Sequence, residues 1–237
     1  MATDFWKTGV VIHPHFLSPE ECERYCQSVL SLDRSKGLPL IERRVRERSL
    51  RYKVVDGLII SDALPDIDDL TERVEEVLER VCGPGLVPID DVVAARNINV
   101  TPPKGEYRWH YDRNAATALV YLNEVPGGET ELYPNYRILL RGGRHQRVQR
   151  WLDSALRQPL VRRLFGHQML IEPHRGTLVI MRGNTTLHSV RAVLGTDERI
   201  AVVLAYDFPG QGHQRTALNT YLYANTSPTD GDPNYRD

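Results

Sequence analysis

Short β-strand patterns separated by turn residues dominate the chain after Pro88. Their residues are mostly β-branched, aromatic or alternately apolar and polar, and glycine, proline or asparagine interrupts the series between them. The patterns cover residues 92–100, 106–111, 115–122, 129–133, 176–182, 186–193 and 198–207. Many short strands at close spacing are typical of a β-barrel or sandwich, and 237 residues can form one such domain. The sequence therefore predicts a mainly β body.

Two helical patterns precede this β body. The first begins at Ser18, where a proline and two glutamates follow, as expected for an N-cap, an N1 proline and a capping glutamate; it ends near Leu32. In the second, over 66–82, apolar residues recur every three or four positions until Gly83. We expect residues 1–88 to provide helices that flank the β body.

Two segments follow neither pattern. Residues 33–50 are rich in Arg and Glu without periodicity, which predicts a surface segment before a strand over 50–60. Residues 209–237 are rich in Asn, Thr, Pro, Asp and Gly, which predicts an irregular tail. We therefore expect residues 1–237 to form one domain whose β core covers 89–208.

The segment 134–168 interrupts the strands inside that core. It contains an apolar stripe at helical spacing around Trp151, and Arg147, Arg150 and Arg157 lie outside the stripe. We predict a helical insert that packs over the open end of the barrel as a lid, because such a stripe must be buried against another surface. An insert that only stabilises the barrel or forms a dimer contact is the alternative.

Charge and composition exclude several classes of protein. Thirty Lys and Arg residues against 31 Asp and Glu residues give a net charge of −1, so the whole chain has no net field that attracts nucleic acid or anionic lipid. An apolar run near 20 residues and a signal-like N-terminus are both absent, so neither a membrane span nor secretion is predicted. Three cysteines, two of them one helical turn apart, favour reduced thiols and a cytoplasmic protein.

Two residues at the end of a predicted strand have side chains that bind metals. His110 and Asp112 are two positions apart, so in a strand both side chains point to the same face. His188 follows another apolar run 76 residues later. Two histidines and one carboxylate can bind iron on one face and leave three positions open for a bidentate co-substrate and dioxygen. An isolated His-x-Asp pair also occurs in ordinary surface turns, so the prediction depends on the other motifs.

A single arginine begins the last predicted strand. Arg199 is followed by the apolar residues of 200–206. An arginine at the base of an apolar barrel needs a carboxylate partner, because an unpaired buried charge costs several kcal/mol. A bound dicarboxylate would supply that partner.

The order of these motifs resembles one known family. His-x-Asp is followed by Tyr-Leu-Asn at 121–123, by Gly-Gly-Glu-Thr at 127–130, by the distal histidine, and by Gly-x-x-x-Arg at 195–199. This order resembles that of the Fe(II)/2-oxoglutarate-dependent dioxygenases, particularly their prolyl-4-hydroxylase-like branch, over about residues 97–208. The resemblance implies a distorted double-stranded β-helix (jelly-roll, cupin-like) with flanking helices.

The resemblance also assigns roles to individual residues. It implies that His110, Asp112 and His188 bind Fe(II), and that Arg199 pairs with the distal carboxylate of the co-substrate 2-oxoglutarate. Dioxygen is the third reactant. Halogenating relatives replace the carboxylate ligand by a small residue, so Asp112 favours hydroxylation, although desaturation or cyclisation begins in the same way.

Two further positions resemble co-substrate contacts. Tyr121 matches a tyrosine that hydrogen-bonds the distal carboxylate in some members, and it shares one strand face with Thr117 and Leu119. Asn99 matches an inward polar position that contacts the co-substrate in some members, with Asn97 as a same-face alternative. An ordinary core tyrosine and an ordinary barrel asparagine are the alternatives for Tyr121 and Asn99.

Two departures from relatives bear on the substrate. Ala201 replaces a hydroxyl residue, so the carboxylate pocket has one donor fewer, and Ala205 stands where nucleic-acid demethylases of the superfamily have a second arginine. We therefore predict that the enzyme hydroxylates an unactivated C–H bond of a small molecule, an amino acid or natural-product intermediate, and does not act on nucleic acid. A metal-retaining β-barrel without catalysis and a dioxygenase of peptidyl residues are the alternatives.

Overall fold

The computed structural model describes residues 4–43, 48–140 and 146–211. The predicted tail beyond residue 211 lies outside the described residues. The helices are α1 Phe5–Thr8, α2 Pro19–Lys36, α3 Ile60–Ala63, α4 Ile67–Cys82, α5 Val92–Ala95, α6 Gln146–Leu156 and α7 Pro159–Phe165. The strands are β1 Val10–His13, β2 Leu40–Arg43, β3 Leu50–Val55, β4 Val87–Pro88, β5 Arg96–Thr101, β6 Tyr107–His110, β7 Ala116–Tyr121, β8 Thr130–Tyr133, β9 Met169–Ile171, β10 Leu178–Met181, β11 Leu187–Val190 and β12 Arg199–Asp207.

These strands form two antiparallel sheets. The large sheet has the order β1-β10-β7-β12-β5-β3-β2, with β4 paired to β12, and the small sheet has the order β6-β11-β8-β9. The predicted mainly β body with flanking helices, a distorted double-stranded β-helix of the jelly-roll, cupin-like type, is confirmed.

Side-chain alternation in the large sheet separates a helix-facing side from a cavity-facing side. On β7, Ala118 and Val120 belong to the core shared with α2 and α4, whereas Leu119 and Tyr121 pack with residues of the opposite side. This is the period-2 pattern expected of a strand that is covered on both faces. The outer side of the large sheet is therefore closed by the N-terminal helices.

The two long helices begin and end as the sequence predicts, with small differences. In α2, the Ser18 hydroxyl accepts a hydrogen bond from the Glu21 amide at 3.2 Å, and the Glu21 carboxylate accepts one from the Ser18 amide at 2.8 Å. This capping box fixes the first turn. The helix continues to Lys36, past the predicted end near Leu32, and stops at Gly37 with a φ of 67°.

Two short elements differ from the prediction. The segment 33–50, predicted to be irregular, contains β2, whose buried Ile41 pairs with Tyr52 of β3. Four residues at a sheet edge are too few to show a period in the sequence. The strand predicted over 92–100 begins with helix α5, because the Asp91 carboxylate caps this turn by accepting from the Val93 amide at 3.2 Å.

The insert packs on the outer face of the small sheet. The guanidinium of Arg162 lies 4.2 Å from the centre of the Trp109 ring, and Gly166 approaches the Tyr133 ring so closely that a Cβ at this position would overlap it. Both aromatic rings belong to a buried cluster with Leu187. The helices of the insert therefore cover an aromatic surface of the barrel.

Among the described residues, no helix combines the length and the apolarity that a membrane span requires.

Candidate metal centre and its cavity

The two predicted histidines and the aspartate lie together at one end of the small sheet. His110 ends β6 and is the direct cross-strand partner of His188 in β11. Asp112 follows β6, where its amide donates to the Gly183 carbonyl at 3.1 Å. Oδ1 of Asp112 is 3.4 Å from Nε2 of His110 and 3.5 Å from Nε2 of His188. All three candidate ligand atoms lie within 4.8 Å of one another.

Both imidazole rings are oriented for metal binding. Nδ1 of His110 lies 2.9 Å from the Arg108 carbonyl, and Nδ1 of His188 lies 3.0 Å from the Thr186 carbonyl. A carbonyl only accepts hydrogen bonds, so each Nδ1 carries the proton and each Nε2 keeps a free lone pair. Burial, and then the nearby His110, lowers the pKa of His188 to about 4. His188 is therefore neutral at physiological pH, as a metal ligand must be.

The aspartate is fixed by a neighbouring strand. The Thr117 hydroxyl donates to Oδ2 of Asp112 at 2.6 Å, and the Asn114 amide donates to the Thr117 oxygen at 2.9 Å. Burial opposes ionisation of Asp112, but the Coulomb interaction with His188, which becomes charged only in acid, and the hydrogen bond with His110 hold the pKa of Asp112 well below the usual range. Two imidazoles and one ionised carboxylate form the donor set of an iron facial triad, so these residues fit Fe(II).

A cavity of about 190 Å³ extends from this group between the two sheets. Its walls are the inward side chains of the large sheet, the inward side chains of β6 and β11, and the residues just before β5. The lining residues are Tyr52, Ile89, Asp91, Ala94, Asn97, Asn99, Tyr107, Arg108, His110, Tyr111, Asp112, Arg113, Asn114, Thr117, Leu119, Thr130, Met181, His188, Val190, Arg199, Val203 and Ala205.

The insert is not part of these walls. No residue of 134–168 that the structure describes lines the cavity. The predicted lid over the open end is therefore wrong for the described residues, because the aromatic outer face around Trp109 and Tyr133 holds the insert instead. The segment just before β5, represented by Ile89 and Asp91, occupies the cavity wall in its place.

Arg199 is buried in the same cavity. The side chain is only 2% exposed, its Nη2 donates to the Thr130 hydroxyl at 3.1 Å, and its guanidinium carbon lies 5.0 Å from the centre of the Tyr121 ring. Among the described residues, no carboxylate lies within ion-pair distance of it, and its Nε has no hydrogen-bond partner. Burial lowers the pKa of Arg199. The guanidinium is thus a buried cation that lines the cavity and forms no ion pair with the described residues.

The glycine turn before β8 makes room for this arginine. Gly128 has a φ of 67°, which L side chains rarely adopt, and a Cβ at this position would lie 2.9 Å from Cδ of Arg199. The Gly-Gly-Glu-Thr motif therefore provides both space for Arg199 and the hydroxyl of Thr130 that orients it.

Tyr121 and Asn99 lie where the sequence places them, on the cavity side of the large sheet. The Tyr121 hydroxyl donates to the Thr130 hydroxyl at 2.7 Å, so Thr130 accepts from both Tyr121 and Arg199. Asn99 lines the cavity and pairs across the sheet with Ala201, which in turn pairs with Tyr121. Asn97 lines the cavity as well, so both asparagines share the face that strand parity predicts.

Sequence reasoning missed three polar residues of this site. Thr117 was identified only as a face-mate of Tyr121, and Thr130 only as the end of a glycine motif. Arg108 went unnoticed, although it is two positions before His110 and so points to the same side; it is 2% exposed and lines the cavity. Strand parity relative to the His-x-Asp pair was the available signal for Arg108.

The comparisons with known proteins agree with this geometry. A family model described as the 2OG-Fe(II) oxygenase superfamily matches residues 96–207, the segment that holds His110, Asp112, His188 and Arg199. This segment of the chain, residues 96–207, is similar to the 2OG-Fe(II) oxygenase superfamily. The match and the His-Asp-His group confirm the predicted cofactor Fe(II) and the predicted co-substrates 2-oxoglutarate and dioxygen. No curated protein matches the sequence.

Solved structures share the oxygenase fold at low sequence identity. The carbocyclase SnoK from nogalamycin biosynthesis has a TM-score of 0.67 at 19% identity, covering 95% of this chain and 90% of that chain. The epimerase SnoN from the same biosynthesis has a TM-score of 0.64 at 17% identity, with 89% and 86% covered. A prolyl-4-hydroxylase from Pseudomonas putida has a TM-score of 0.56 at 16% identity, with 87% and 96% covered. These superfamily members support a common fold.

Proposed function

We propose that this oxygenase hydroxylates an unactivated C–H bond of a small-molecule substrate, an amino acid or natural-product intermediate, and releases succinate and carbon dioxide. The observation that carries the proposal is the buried Arg199, which lines one cavity together with His110, Asp112 and His188. An uncompensated buried guanidinium is costly, and the distal carboxylate of 2-oxoglutarate would neutralise it. A protein that only retains metal has no use for such a cation.

Each site residue has a distinct role in this proposal. The Nε2 atoms of His110 and His188 and Oδ1 of Asp112 would hold Fe(II), which when bound would supply reduction of dioxygen coupled to oxidative decarboxylation of 2-oxoglutarate. Arg199 pairs with the distal carboxylate by charge-assisted hydrogen bonds. Thr130 accepts from Arg199 and Tyr121, so its own proton is free to donate to that carboxylate.

Asn99 has a separate role in this proposal. We propose that its amide contacts the co-substrate from β5, because it lines the cavity and only β12 separates it from Tyr121 in the sheet. Asn97 is the competing position, and its amide donates to the Ala94 carbonyl at 3.4 Å. An Asn99→Ala variant that keeps wild-type affinity for 2-oxoglutarate would leave Asn99 as an ordinary barrel residue.

The retained carboxylate ligand favours hydroxylation. Asp112 would provide the carboxylate ligand that halogenating relatives replace by a small residue, and its lowered pKa keeps it ionised. SnoK is described as a carbocyclase and SnoN as an epimerase. The same fold therefore supports other outcomes of C–H attack, and the mass of the product distinguishes hydroxylation from cyclisation and epimerisation.

The cavity favours a small molecule. Aromatic and aliphatic side chains such as Tyr52, Tyr111 and Val203 line it beside a few polar groups, which is the usual composition of small-molecule sites. SnoN has been solved with Fe3+, alpha ketoglutarate and nogalamycin RO. A peptidyl substrate is the second candidate, because a Trichoplax adhaerens prolyl hydroxylase of 18% identity has been solved with a peptide fragment.

The free Cys22, Cys26 and Cys82 suit the cytoplasmic location that we propose.

Anaerobic reconstitution tests whether the protein binds Fe(II) and 2-oxoglutarate together. Adding Fe(II) and 2-oxoglutarate to the protein without dioxygen should produce a visible charge-transfer band, because the ketoacid chelates the metal. Iron binding without this band would favour the non-catalytic metal-binding protein. Metabolites and peptides are then screened for stimulated succinate formation, and the product is identified by its mass. Stimulation by peptides alone would favour the peptidyl hydroxylase.

A further inference from the structure

The two helices of the insert expose large apolar side chains. On α6, Trp151 is 68% exposed, and on α7 the exposed fractions of Leu160, Leu164 and Phe165 are 73%, 74% and 78%. Leu160 and Leu164 are one helical turn apart and lie on the same face. These four residues, with Arg147, Arg150 and Arg163, are called the insert surface below. Leu160, Leu164 and Phe165 form an exposed apolar surface on α7, and exposed apolar surface of this kind marks an interaction site.

The opposite side of the insert is anchored, so this exposure is built into the fold. The Arg137 guanidinium donates to both carboxylate oxygens of Asp153, with Nε to Oδ1 at 2.8 Å and Nη2 to Oδ2 at 2.5 Å. Arg162 packs on Trp109 at 4.2 Å. Arg137 lies in the insert itself and also donates to the Asn184 carbonyl outside it at 3.2 Å. Because these contacts together hold α6 and α7 on the barrel, Trp151 and Phe165 cannot turn inward without breaking them.

The charge around the apolar side chains is almost entirely positive. The segment 134–168 contains eight arginines and one acidic residue, Asp153, and Arg137 already neutralises that residue. Arg147, Arg150 and Arg163 are exposed. The whole chain has a net charge of −1, so the rest of the chain is acidic. The net charge of the whole chain predicted no attraction to anionic lipid, because it averages out the local excess of positive charge in 134–168.

A second copy of the chain does not complement the insert surface. Packing two insert surfaces together would bury the apolar groups but place arginines against arginines. The acidic exposed face of α4, represented by Asp69, Glu72 and Glu76, would neutralise the arginines but offers no apolar surface to Leu164 or Phe165. Nucleic acid likewise matches the cations only, because phosphates supply its affinity.

We propose that the insert surface binds the surface of an anionic lipid bilayer. Anionic headgroups match the exposed arginines, and the acyl boundary beneath them accepts Trp, Leu and Phe side chains, as in interfacial amphipathic helices. The apolar side chains are 68–78% exposed, which suits insertion between lipids. The proposal concerns peripheral attachment and does not depend on the reaction at the metal centre.

Vesicle flotation of the full chain tests this proposal. Vesicles of phosphatidylcholine alone are compared with vesicles of phosphatidylcholine and phosphatidylglycerol at about three to one. We expect binding to the anionic vesicles, weakened by added salt because salt screens surface charge, and little binding to phosphatidylcholine. Equal binding to both compositions, or none to either, would overturn the proposal.

Two variants with matched controls locate the binding site. Leu164→Ser/Phe165→Ser should weaken binding about a hundredfold or more, because it removes two buried apolar groups that each contribute about tenfold or more. The control Leu58→Ser/Leu194→Ser changes residues that are 70% and 76% exposed elsewhere. Equal losses in the variant and the control would contradict the assignment.

The charge variant is Arg147→Gln/Arg150→Gln/Arg163→Gln. At about 1 kcal/mol per arginine near an anionic membrane, it should lose about two orders of magnitude in affinity. The control Arg34→Gln/Arg80→Gln/Arg175→Gln removes three exposed arginines outside the insert and should bind normally. Dimerisation that the Leu164→Ser/Phe165→Ser change abolishes, without vesicle binding by the wild type, would assign the surface to a second copy and overturn the proposal.

Discussion

The Thr117 hydroxyl donates a 2.6 Å hydrogen bond to Oδ2 of Asp112 and leaves Oδ1 as the carboxylate oxygen nearest to both histidines. A carboxylate with both oxygens free could bind a metal through two atoms and occupy an additional coordination position. With Oδ2 engaged, Asp112 would offer Fe(II) one ligand atom, which would leave positions for 2-oxoglutarate and dioxygen. Asn114 supports the arrangement by donating to Thr117.

Removing the Thr117 hydroxyl should therefore weaken the metal site. Thr117→Val keeps the shape of the side chain, and we expect Fe(II) affinity to fall about tenfold, the lower end of the range for lost supporting hydrogen bonds at metal sites. Thr117→Ser should restore most of the affinity. Thr71→Val, which removes a buried hydroxyl in α4, is the control. The measurement is anaerobic Fe(II) titration, and unchanged affinity in Thr117→Val would exclude the role.

Each of the three candidate ligands should be required for iron binding. His188→Ala, like His110→Ala or Asp112→Ala, should abolish both Fe(II) binding and turnover, while circular dichroism shows a folded protein because these side chains line a cavity. His174→Ala is the matched control, since His174 is 61% exposed beside Glu124 and Glu172 and has no partner histidine. Near-normal iron affinity in His188→Ala would show that the ligand assignment is wrong.

Arg199 should select a ketoacid that has a distal carboxylate. Losing one partner of a buried charge pair costs about 3–5 kcal/mol, so Arg199→Ala should raise the apparent constant for 2-oxoglutarate by about two orders of magnitude or more. Tyr121→Phe should raise it only about fivefold, because it removes one neutral hydrogen bond of about 1 kcal/mol. Wild-type enzyme should discriminate against pyruvate, and Arg199→Ala should not. Equal constants in wild type and Arg199→Ala would rule out the role.

The metal-free protein should lose stability in mild acid through His188. Its folded pKa of about 4 lies below the ordinary value of 6.5, because burial and the adjacent His110 disfavour its charged form. Above pH 6.5 His188 is neutral in both the folded and the unfolded protein. As the pH falls toward 4, the unfolded protein binds the proton more readily than the folded protein. The free energy of unfolding should therefore fall by about 3 kcal/mol between pH 7 and pH 4. Urea unfolding at pH 7, 5 and 4 should show a smaller loss of unfolding free energy in His188→Asn than in the wild type. The same dependence on pH in both proteins would show that His188 does not cause the loss.

Regular periodicity explains why much of the architecture was predictable. The apolar positions of α4 and the alternating faces of β7 are properties of one element each, so a local sequence window contains the full signal. The His-x-Asp pair is also local, because strand parity alone puts His110 and Asp112 on one side. His188 and Arg199 required the order of several motifs, since each is unremarkable in isolation.

The remaining features depend on contacts between distant segments. No window of sequence shows that Thr130 of β8 meets Arg199 of β12, or that Thr117 reaches Asp112, because these contacts arise only after the sheets pair. The insert is the clearest example. Its stripe correctly predicted a helix, but Trp151 of that stripe is 68% exposed, and the contact with Trp109 on the outside of the small sheet comes from Arg162 of α7. Amphipathicity indicates that a face requires a partner and does not identify the partner.

The ion pair between Arg137 and Asp153 should be the main polar anchor of the insert. Both side chains are mostly buried, at 19% and 10% exposure, and Gln149 adds a 2.8 Å hydrogen bond to Asp153. The Arg137 guanidinium also lies 4.9 Å from the centre of the Tyr111 ring. Asparagine at position 153 keeps the shape but removes the charge, which leaves the buried guanidinium without its counter-ion.

We expect Asp153→Asn to lower the free energy of unfolding by about 3 kcal/mol, because the desolvated Arg137 guanidinium is then buried without an opposite charge. Asp4→Asn is the control, since Asp4 and Lys7 form an ion pair at 53% and 83% exposure, and its effect should stay below about 0.5 kcal/mol. Urea denaturation measures both. Affinity for Fe(II) and 2-oxoglutarate should not change in Asp153→Asn, because the described insert residues line no part of the cavity. If Asp153→Asn lowers the free energy of unfolding no more than Asp4→Asn does, packing on Trp109 and Tyr133 holds the insert without this ion pair.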